Sequence, residues 1–190
     1  TLFRSARFDG LILADGEVVQ GFVGSGHRRD DLWHDLDATG RLNGNSAVAL
    51  HLAPDGARRK VSVTADDAGQ VVKAVGISDD TVGGKFDLTG EIADDQPDQP
   101  IHGRLQMDDF KVVHAPIMAK LLTLASLTGI VDVLSGDGIN FVRAEVPFHT
   151  RGGKLHIDNA RAWGAALGIT ATGTIERGRD GINLSGTIVP

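Results

Sequence analysis

The sequence predicts a mainly β fold: a curved antiparallel sheet with two helices packed against its concave face or its end. Apolar and polar residues alternate with period two through most of the chain, as in strands with one wet face. Glycine is abundant, with 25 among 190 residues, and much of it lies inside strand-like segments, where it marks bends or close backbone approach. Two segments interrupt the alternation and have the features of helices.

The alternation is clearest in two consecutive segments, residues 85–92 and 101–109. One face of the first segment carries Phe86, Leu88, Gly90 and Ile92. The apolar face of the second carries Ile101, Leu105 and Met107. We therefore expect each strand to bury one face and to expose the other to water.

The last third of the chain predicts two hairpins, because apolar residues alternate on both sides of glycine-containing connections. The first turns at TRGG, residues 150–153, and the second at RGRDG, residues 177–181. The apolar positions of the first hairpin are Val142, Ala144, Val146, Phe148, Leu155 and Ile157. Those of the second are Leu167, Ile169, Ala171, Gly173, Ile175, Ile182, Leu184, Gly186 and Ile188.

A weak internal repeat indicates a sheet that grows by similar hairpins. DATGRL, DLTGEI, TATGTI and NLSGTI, which start at residues 37, 87, 170 and 183, share a hydroxyl residue, a glycine, one further residue and an aliphatic residue. Each glycine falls on or beside the apolar face. A missing side chain there lets a sheet curl tightly or leaves room for a ligand.

The first predicted helix lies in TADDAGQVVKAVGI, residues 64–77. Asp66 or Thr64 is expected to cap its start, Asp67 to lie in its first turn and Gly76 to end it. Its apolar stripe has the spacing i, i+3, i+4, i+7 and consists of Ala68, Val71, Val72 and Val75.

The second predicted helix lies in the apolar stretch at residues 114–138, with Pro116 in its first turn and Gly136 or Gly138 at its end. Because it is apolar nearly all round, it must be covered on most sides. It either crosses the concave face as a buried helix or also borders a lipid path or rests on a membrane. Lys120 and Asp132 argue against a membrane span, since each charge near a bilayer centre costs about 2.5–3.5 kcal/mol on insertion scales. The apolar positions concerned are Ile117, Leu121, Leu124, Leu127 and Val131.

Composition excludes several classes of protein. The net charge is −6 and the basic residues occur in short scattered groups, which argues against a nucleic-acid partner. Cysteine is absent, so disulfides and thiolate zinc sites are excluded, and the redox compartment stays open.

No catalytic or metal-binding motif stands out, so we expect no enzyme activity, no cofactor and no metal site. In HDLD, residues 34–37, a strand places the histidine on one face and both aspartates on the other, which splits the donor set. His149 and His156 flank a turn without a third ligand in view, and we expect them to face solvent.

Two polar segments are expected to form loops. GFVGSGH, residues 21–27, lacks the lysine of a P-loop and the spacing of a dinucleotide site. ADDQPDQP, residues 93–100, has the composition of a solvated hairpin connection.

The segment VTADDAGQVVKAVGISDDTVGGKFDLTGEI, residues 63–92, resembles the AsmA-like C-terminal domain family of Gram-negative bacteria. In that family a strand leads into a short Asp-Asp-x-Gly helix and then to a Gly-Gly pair that opens the next strand. The resemblance continues through residues 105–190, with an Ala-Pro start to the second helix and a closing Gly-Thr-Ile-Val-Pro. It covers residues 61–190 well, whereas residues 1–60 are only generically similar β sequence.

The resemblance implies a taco-like or half-barrel sheet whose apolar groove moves phospholipid between the inner and outer membranes of the cell envelope. It also implies a periplasmic location within a larger protein that is anchored in the inner membrane and carries neighbouring β modules. We expect residues 1–190 to form one such module, a fragment of that larger chain.

The positions expected to line the groove are those on the apolar strand faces: Phe86, Leu88, Ile92, Leu105, Met107, Val142, Val146, Phe148, Leu155, Ile157, Leu167, Ile169, Ile175, Ile182, Leu184 and Ile188. The alternative function is a structural or assembly scaffold in the periplasm that binds protein partners through its sheet edges.

Overall fold

The structure, a computed structural model, describes residues 2–13, 16–29, 32–96, 98–113, 138–165, 167–176 and 181–189. This part of the chain forms twelve strands and one helix. The strands are β1 Leu2–Ile12, β2 Val18–Arg29, β3 Leu32–Leu42, β4 Ser46–Asp55, β5 Arg58–Ala65, β6 Thr81–Val82, β7 Lys85–Ala93, β8 Ile101–Val112, β9 Ile139–Arg151, β10 Lys154–Trp163, β11 Gly168–Glu176 and β12 Gly181–Val189. The helix, α1, is Ala68–Ala74.

All strands belong to one open antiparallel sheet, so the predicted mainly β, antiparallel fold is confirmed. The order is β1-β2-β3-β4-β5-β7-β8-β9-β10-β11-β12, which makes each long strand the neighbour of the next. The short β6 pairs with the end of β8, where Thr81 lies opposite Val112. The second predicted helix, with Ile117, Leu121, Leu124, Leu127 and Val131, lies outside the described residues.

Two connections agree with their sequence patterns. Gly152 and Gly153 join β9 to β10 with φ angles of 58° and 74°, the backbone of a type I′ hairpin turn that favours glycine at both positions. The acidic segment at residues 93–100 connects β7 to β8 as expected. The connection between β11 and β12 lies outside the described residues, although the two strands pair in continuous register.

Helix α1 starts one residue later than expected, since Asp67 is its N-cap. The Asp67 carboxylate accepts a hydrogen bond from the Gln70 backbone N–H at 3.1 Å. Val75 is the C-cap and is 57% exposed, so its predicted place in the buried stripe is wrong. The short helix ends before Val75 can turn back onto the sheet. Gly76 follows with φ 71° and donates its N–H to the Lys73 carbonyl, as a C-terminal glycine does.

The loop expected at residues 21–27 is wrong, because this segment lies inside β2. Gly24 pairs with Ala38 and Gly26 with Leu36. A Cβ at Gly26 would lie 2.3 Å from the Asp35 carbonyl oxygen, so β3 approaches too closely for a side chain. Glycine here permits close strand pairing, and it removes the apolar alternation by which a strand is detected.

The buried core consists of two small clusters. The first contains Val19, Leu42, Ala65, Ala68, Val71, Ala74 and Phe86. The second contains Phe110, Ile139, Phe141, Ala144 and Leu167. Both lie near the strand ends beside α1. We call these ends the helix end of the sheet, and the opposite strand ends the far end. The helix end is marked by Ile12, Val18, Leu42, Ser46, Ala65, Lys85, Val112, Ile139, Trp163, Gly168 and Val189.

Replacing Asp67 tests the cap. We expect Asp67→Ala to lower the free energy of unfolding by about 1 kcal/mol, because the Gln70 N–H loses its acceptor. Urea denaturation measures the change. Asp66→Ala is the matched control, since Asp66 is exposed and uses its backbone N–H, which the substitution keeps, to bond the Ala47 carbonyl. Equal losses in the two variants would contradict the assignment of Asp67 as the cap.

Candidate functional site

The strand register places apolar side chains in continuous rows across one face of the sheet, the apolar face. Residues directly opposite each other on neighbouring antiparallel strands point to the same side. One row of successive partners is Ala65, Phe86, Met107, Ala144, Ala162, Ile169 and Ile188. The next is Leu50, Val63, Leu88, Leu105 and Val146. A third is Leu36, Leu52, Val61, Gly90, Gly103, Phe148, Ile157, Gly173 and Leu184.

Most of the residues expected on the apolar face occupy these rows or extend them. Ile92 pairs with Ile101 on β8. Ile175 pairs with Leu155 and with Ile182. Leu167 lies just before β11 and is buried in the second cluster. These residues come from distant parts of the sequence, from Phe86 to Ile188, and the sheet brings them to one side.

Val142 is the exception, and its predicted place on the apolar face is wrong. It is 56% exposed, whereas Phe141 and Ala144 are buried in the second cluster. The alternation therefore shifts between these two residues. In the neighbouring strand Asp109 has a left-handed backbone with φ 55°, and Met107 and Phe110 both pack in the second cluster. This irregularity of the paired strands reverses the face of Val142.

The apolar face also continues further toward the N-terminus than expected. Val48, Leu50 and Leu52 of β4 and Val61 and Val63 of β5 lie in the same rows. The alternation of AVALHL, residues 47–52, and of VSV, residues 61–63, carries this signal in the sequence.

Much of the apolar face is only half-buried. Leu88, Leu105, Val146 and Ile157 all have intermediate exposure. Among the described elements, α1 is the one that packs across the sheet, and it contacts β3, β7 and β8 near the helix end. The described residues thus cover one end of the face and leave partly accessible aliphatic side chains along the rest.

Glycines on this face bring strands and side chains close together. A Cβ at Gly103 would lie 2.7 Å from both the Thr89 carbonyl oxygen and Cζ of Phe148. The space over Gly103 is therefore filled by the Phe148 ring. Gly103 thus shows the close approach that is expected of a glycine inside a strand.

A charged residue that the sequence does not reveal lies at the far end of the apolar face. Arg59 is the direct partner of Ile92 and of Pro54, and its side chain is only 9% exposed. Its Nε donates to both carboxylate oxygens of Asp94, at 2.8 and 3.0 Å. Nη1 donates to the Trp33 carbonyl at 2.5 Å. The guanidinium is thus neutralised in place, as a buried charge must be.

The opposite face of the sheet is polar and carries three histidine–aspartate pairs. His27 Nδ1 lies 2.9 Å from Asp35 Oδ1, and His51 Nδ1 lies 2.5 Å from Asp37 Oδ1. Both aspartates of HDLD therefore pair with histidines of neighbouring strands, and His34 lies outside these pairs. His149 Nδ1 lies 2.6 Å from Asp158 Oδ2.

His102, His149 and His156 form a stacked row across β8, β9 and β10. The His149 ring centroid is 5.5 Å from that of His102 and 4.7 Å from that of His156, with interplanar angles of 15° and 4°. His149 and His156, which were expected to face solvent, lie on the polar face and are half-buried in this row. Imidazole lone pairs lie in the ring plane, so parallel rings direct them side by side and not toward one point. No group of three or more potential ligands suited to a metal ion occurs in the described parts of the chain.

Asp108 on the polar face accepts hydrogen bonds from two side chains. Gln106 Nε2 donates to its Oδ2 at 2.7 Å, and Arg143 Nε donates to its Oδ1 at 2.5 Å. The bond from Gln106, with that from Arg143, holds the pKa of Asp108 below its ordinary value of 3.8 against the opposing effect of desolvation.

The chain matches no protein-family model, no curated protein and no solved structure. The resemblance to the AsmA-like C-terminal domain family therefore stays a prediction. Among the described residues, no helix has the length and apolar character needed to cross a membrane.

Gly103→Ala tests close packing on the apolar face. We expect it to lower the free energy of unfolding by about 1–3 kcal/mol, because the new methyl group overlaps the Thr89 carbonyl and the Phe148 ring. Gly10→Ala is the control, since a Cβ there meets only Cγ1 of Val18, at 3.4 Å. Thermal and urea unfolding measure the stability of both variants. A Gly103→Ala protein as stable as the wild type would contradict close packing at this position.

Asp108→Asn tests the ionised state of this carboxylate. Because its pKa is lower in the folded than in the unfolded chain, the carboxylate stabilises the fold above the unfolded value, and the contribution is lost as pH falls through the folded value. We expect the variant to be less stable than the wild type at pH 7. As the pH falls below about 4, its stability should decrease less than that of the wild type. Urea midpoints across a pH series measure this difference, and parallel profiles for variant and wild type would contradict it.

Proposed function

We propose that this chain is a non-catalytic module whose apolar face holds the acyl chains of phospholipid during transfer between membranes. In this proposal the sheet curls into a taco-like or half-barrel groove with the apolar face inside. The observation that carries it is the continuity of the half-buried aliphatic rows, such as Leu50, Val63, Leu88, Leu105 and Val146.

The energetics of lipid transfer favour a continuous apolar surface. An acyl chain of about 16 carbons costs roughly 10 kcal/mol or more to expose to water, at about 0.8 kcal/mol per methylene. A transfer protein must therefore cover the tail along its whole length. Aliphatic side chains suit this task, because dispersion contacts do not depend on the orientation of the tail.

The dimensions of the sheet also suit an acyl chain. Strand β8 has 12 residues, which corresponds to about 40 Å at about 3.4 Å per residue. The hydrocarbon core of a bilayer is about 30 Å thick, so the tails of one leaflet extend about 15 Å. One strand length therefore exceeds the span of a tail, even with α1 over one end of the face.

The polar face supports a non-catalytic function. Asp37, His51 and Ser62 occupy one cross-strand row, which has the residue types of a hydrolytic triad. The His51 and Asp37 side chains are, however, 57% and 67% exposed. The backbone N–H groups of the surrounding strands are engaged in the sheet, so they cannot form the oxyanion hole that such chemistry requires.

The proposed place of this function is the periplasm, in a larger protein anchored in the inner membrane. This part of the proposal rests on the resemblance of residues 61–190 to the AsmA-like C-terminal domain family. The proposed partners are phospholipid and neighbouring β modules of the same chain.

A scaffold that binds proteins is the second candidate, and the sheet edges favour it. No strand pairs with the outer side of β1 or β12 in the described part of the chain. Strands β1 and β12 have 11 and 9 residues, long enough for strand addition by a protein partner.

Site-specific photo-crosslinking distinguishes the two functions. A photoreactive residue at Leu88 or Ile169 reports on the apolar face, and the same probe at Thr89 or Thr170 reports on the polar face. The two threonines are exposed immediate neighbours, which makes them matched controls. We expect irradiation in cells to give phospholipid adducts at Leu88 and Ile169, identified by mass spectrometry, and few at the threonines.

The adducts decide between the candidates. Protein adducts alone, or phospholipid captured equally on both faces, would exclude the transfer groove. Protein adducts at probes placed in β1 or β12, together with no lipid at Leu88 and Ile169, would favour the scaffold.

A further inference from the structure

The exposed large apolar side chains are distributed unevenly between the two ends of the sheet. Among the side chains whose exposure the structure describes, twelve such residues are exposed, and eight of them lie at the helix end. We call these eight the apolar rim: Leu11, Ile12, Val75, Ile77, Val82, Val142, Trp163 and Val189. The other four, which lie in mid-strand or at the far end, are Phe8, Val23, Leu32 and Leu184.

The topology assembles the rim from distant parts of the sequence. Ile12, Trp163 and Val189 are the last residues of β1, β10 and β12, and all three strands end at the helix end. Val75 and Ile77 follow α1, which reaches toward the start of β2, where Lys73 Nζ lies 2.9 Å from Glu17 Oε1. The rim therefore extends along the helix end from the first strand to the last.

The far end carries fewer exposed large apolar side chains among those that the structure describes. Charged residues occupy its strand ends and connections: Arg29, Asp55, Arg58, Asp94, Asp95, Arg151, Lys154 and Glu176. Several of them form ion pairs there, such as Lys154 with Glu176 and Arg58 with Glu91. Charged residues such as Glu17, Lys73 and Asp79 also occur at the helix end, so the two ends differ in the number of their exposed large apolar side chains.

We infer that the apolar rim rests on the surface of a lipid bilayer, with the strands directed away from the membrane. This inference deepens the proposed transfer function and rests on it. The rim residues contact the boundary between headgroups and acyl chains, and the apolar face leads away from that boundary toward the far end. The half-buried aliphatic rows beyond α1 then lie within one strand length of the bilayer.

The shape of the rim favours a bilayer over a protein partner. Eleven strands spaced at about 4.8 Å extend over a contour of about 50 Å. A protein partner that covered these eight side chains would have to extend along the whole narrow rim and would bury little surface. A bilayer presents the same apolar boundary along the full length of the rim. Trp163, 39% exposed, is also the residue type that prefers the membrane interface.

The chain itself brings more apolar sequence to the same end. Strand β8 ends and strand β9 begins at the helix end, and the segment at residues 114–137 is joined to them there, through Val113 and Gly138. That segment carries the apolar stretch of residues 116–134. This apolar stretch is therefore continuous in sequence with strands that end at the rim.

The two tryptophans provide a direct test, since the chain has only Trp33 and Trp163. Trp163 ends β10 at the rim, and Trp33 lies at the far end of β3 under the guanidinium of Arg28, 5.7 Å from the ring centroid. Trp33→Phe leaves Trp163 as the single fluorophore, and Trp163→Phe leaves Trp33. Each variant is mixed with vesicles of phosphatidylcholine that carries bromine on its acyl chains.

We expect the brominated lipid to quench Trp163 strongly and Trp33 weakly. In the Trp33→Phe background, Ile77→Ser should weaken vesicle binding about tenfold, because it removes an apolar side chain from the boundary. Leu32→Ser is the matched control, an exposed apolar residue at the far end (44% against 73% for Ile77), and it should leave binding unchanged. Circular dichroism confirms that the variants fold.

Equal quenching of both tryptophans, quenching of Trp33 alone, or no quenching would overturn the inference. So would binding that responds equally to Ile77→Ser and Leu32→Ser. Concentration-dependent self-association that Ile77→Ser abolishes, without vesicle binding, would assign the rim to a second copy of the chain. If phospholipid adducts form at Leu88 and Ile169 but the vesicles neither quench Trp163 nor bind the protein, the proposed transfer function stands and only the membrane contact of the rim is excluded.

Discussion

Cross-strand register is the constraint on which the rest of the structure depends. A shift of one residue would move every apolar side chain of a strand to the opposite face. The row of Leu88, Leu105 and Val146 exists only in the observed register, and the tight turn at Gly152 and Gly153 sets it between β9 and β10. The separation into an apolar and a polar face, and the position of the rim, both follow from this register.

The second constraint is that a single sheet has little core. No large side chain is fully buried in the described residues, and both buried clusters lie near the helix end. Backbone pairing and these clusters therefore hold most of the described structure together. The aliphatic rows beyond α1 are not enclosed by it, so a ligand can cover them without displacing the core around Phe86.

The strands were predictable because period-two alternation reports directly on a half-buried strand. Residues 21–27 of β2 lack this signal, since Gly24 and Gly26 carry no side chain to alternate. Val142 was misplaced because paired irregularities near Asp109 shift the pattern in two strands at once. Both failures occur where the backbone departs from the regular geometry on which the pattern depends.

The apolar residues of the candidate site were predictable from the sequence, but the buried Arg59 and the apolar rim were not. Arg59 lies in a run of basic residues, which predicts a solvent-exposed side chain. Its burial depends on Asp94, 35 residues away, whose carboxylate neutralises the guanidinium. The rim likewise combines residues as distant as Ile12 and Val189, which no local pattern connects. Arg59 lies on the apolar face at the far end, and the rim lies at the other. In the proposed function, an acyl chain that crossed β5 at the far end would meet the Arg59–Asp94 ion pair, whereas Leu155 and Ile175 present apolar side chains at the same end of the neighbouring strands β10 and β11.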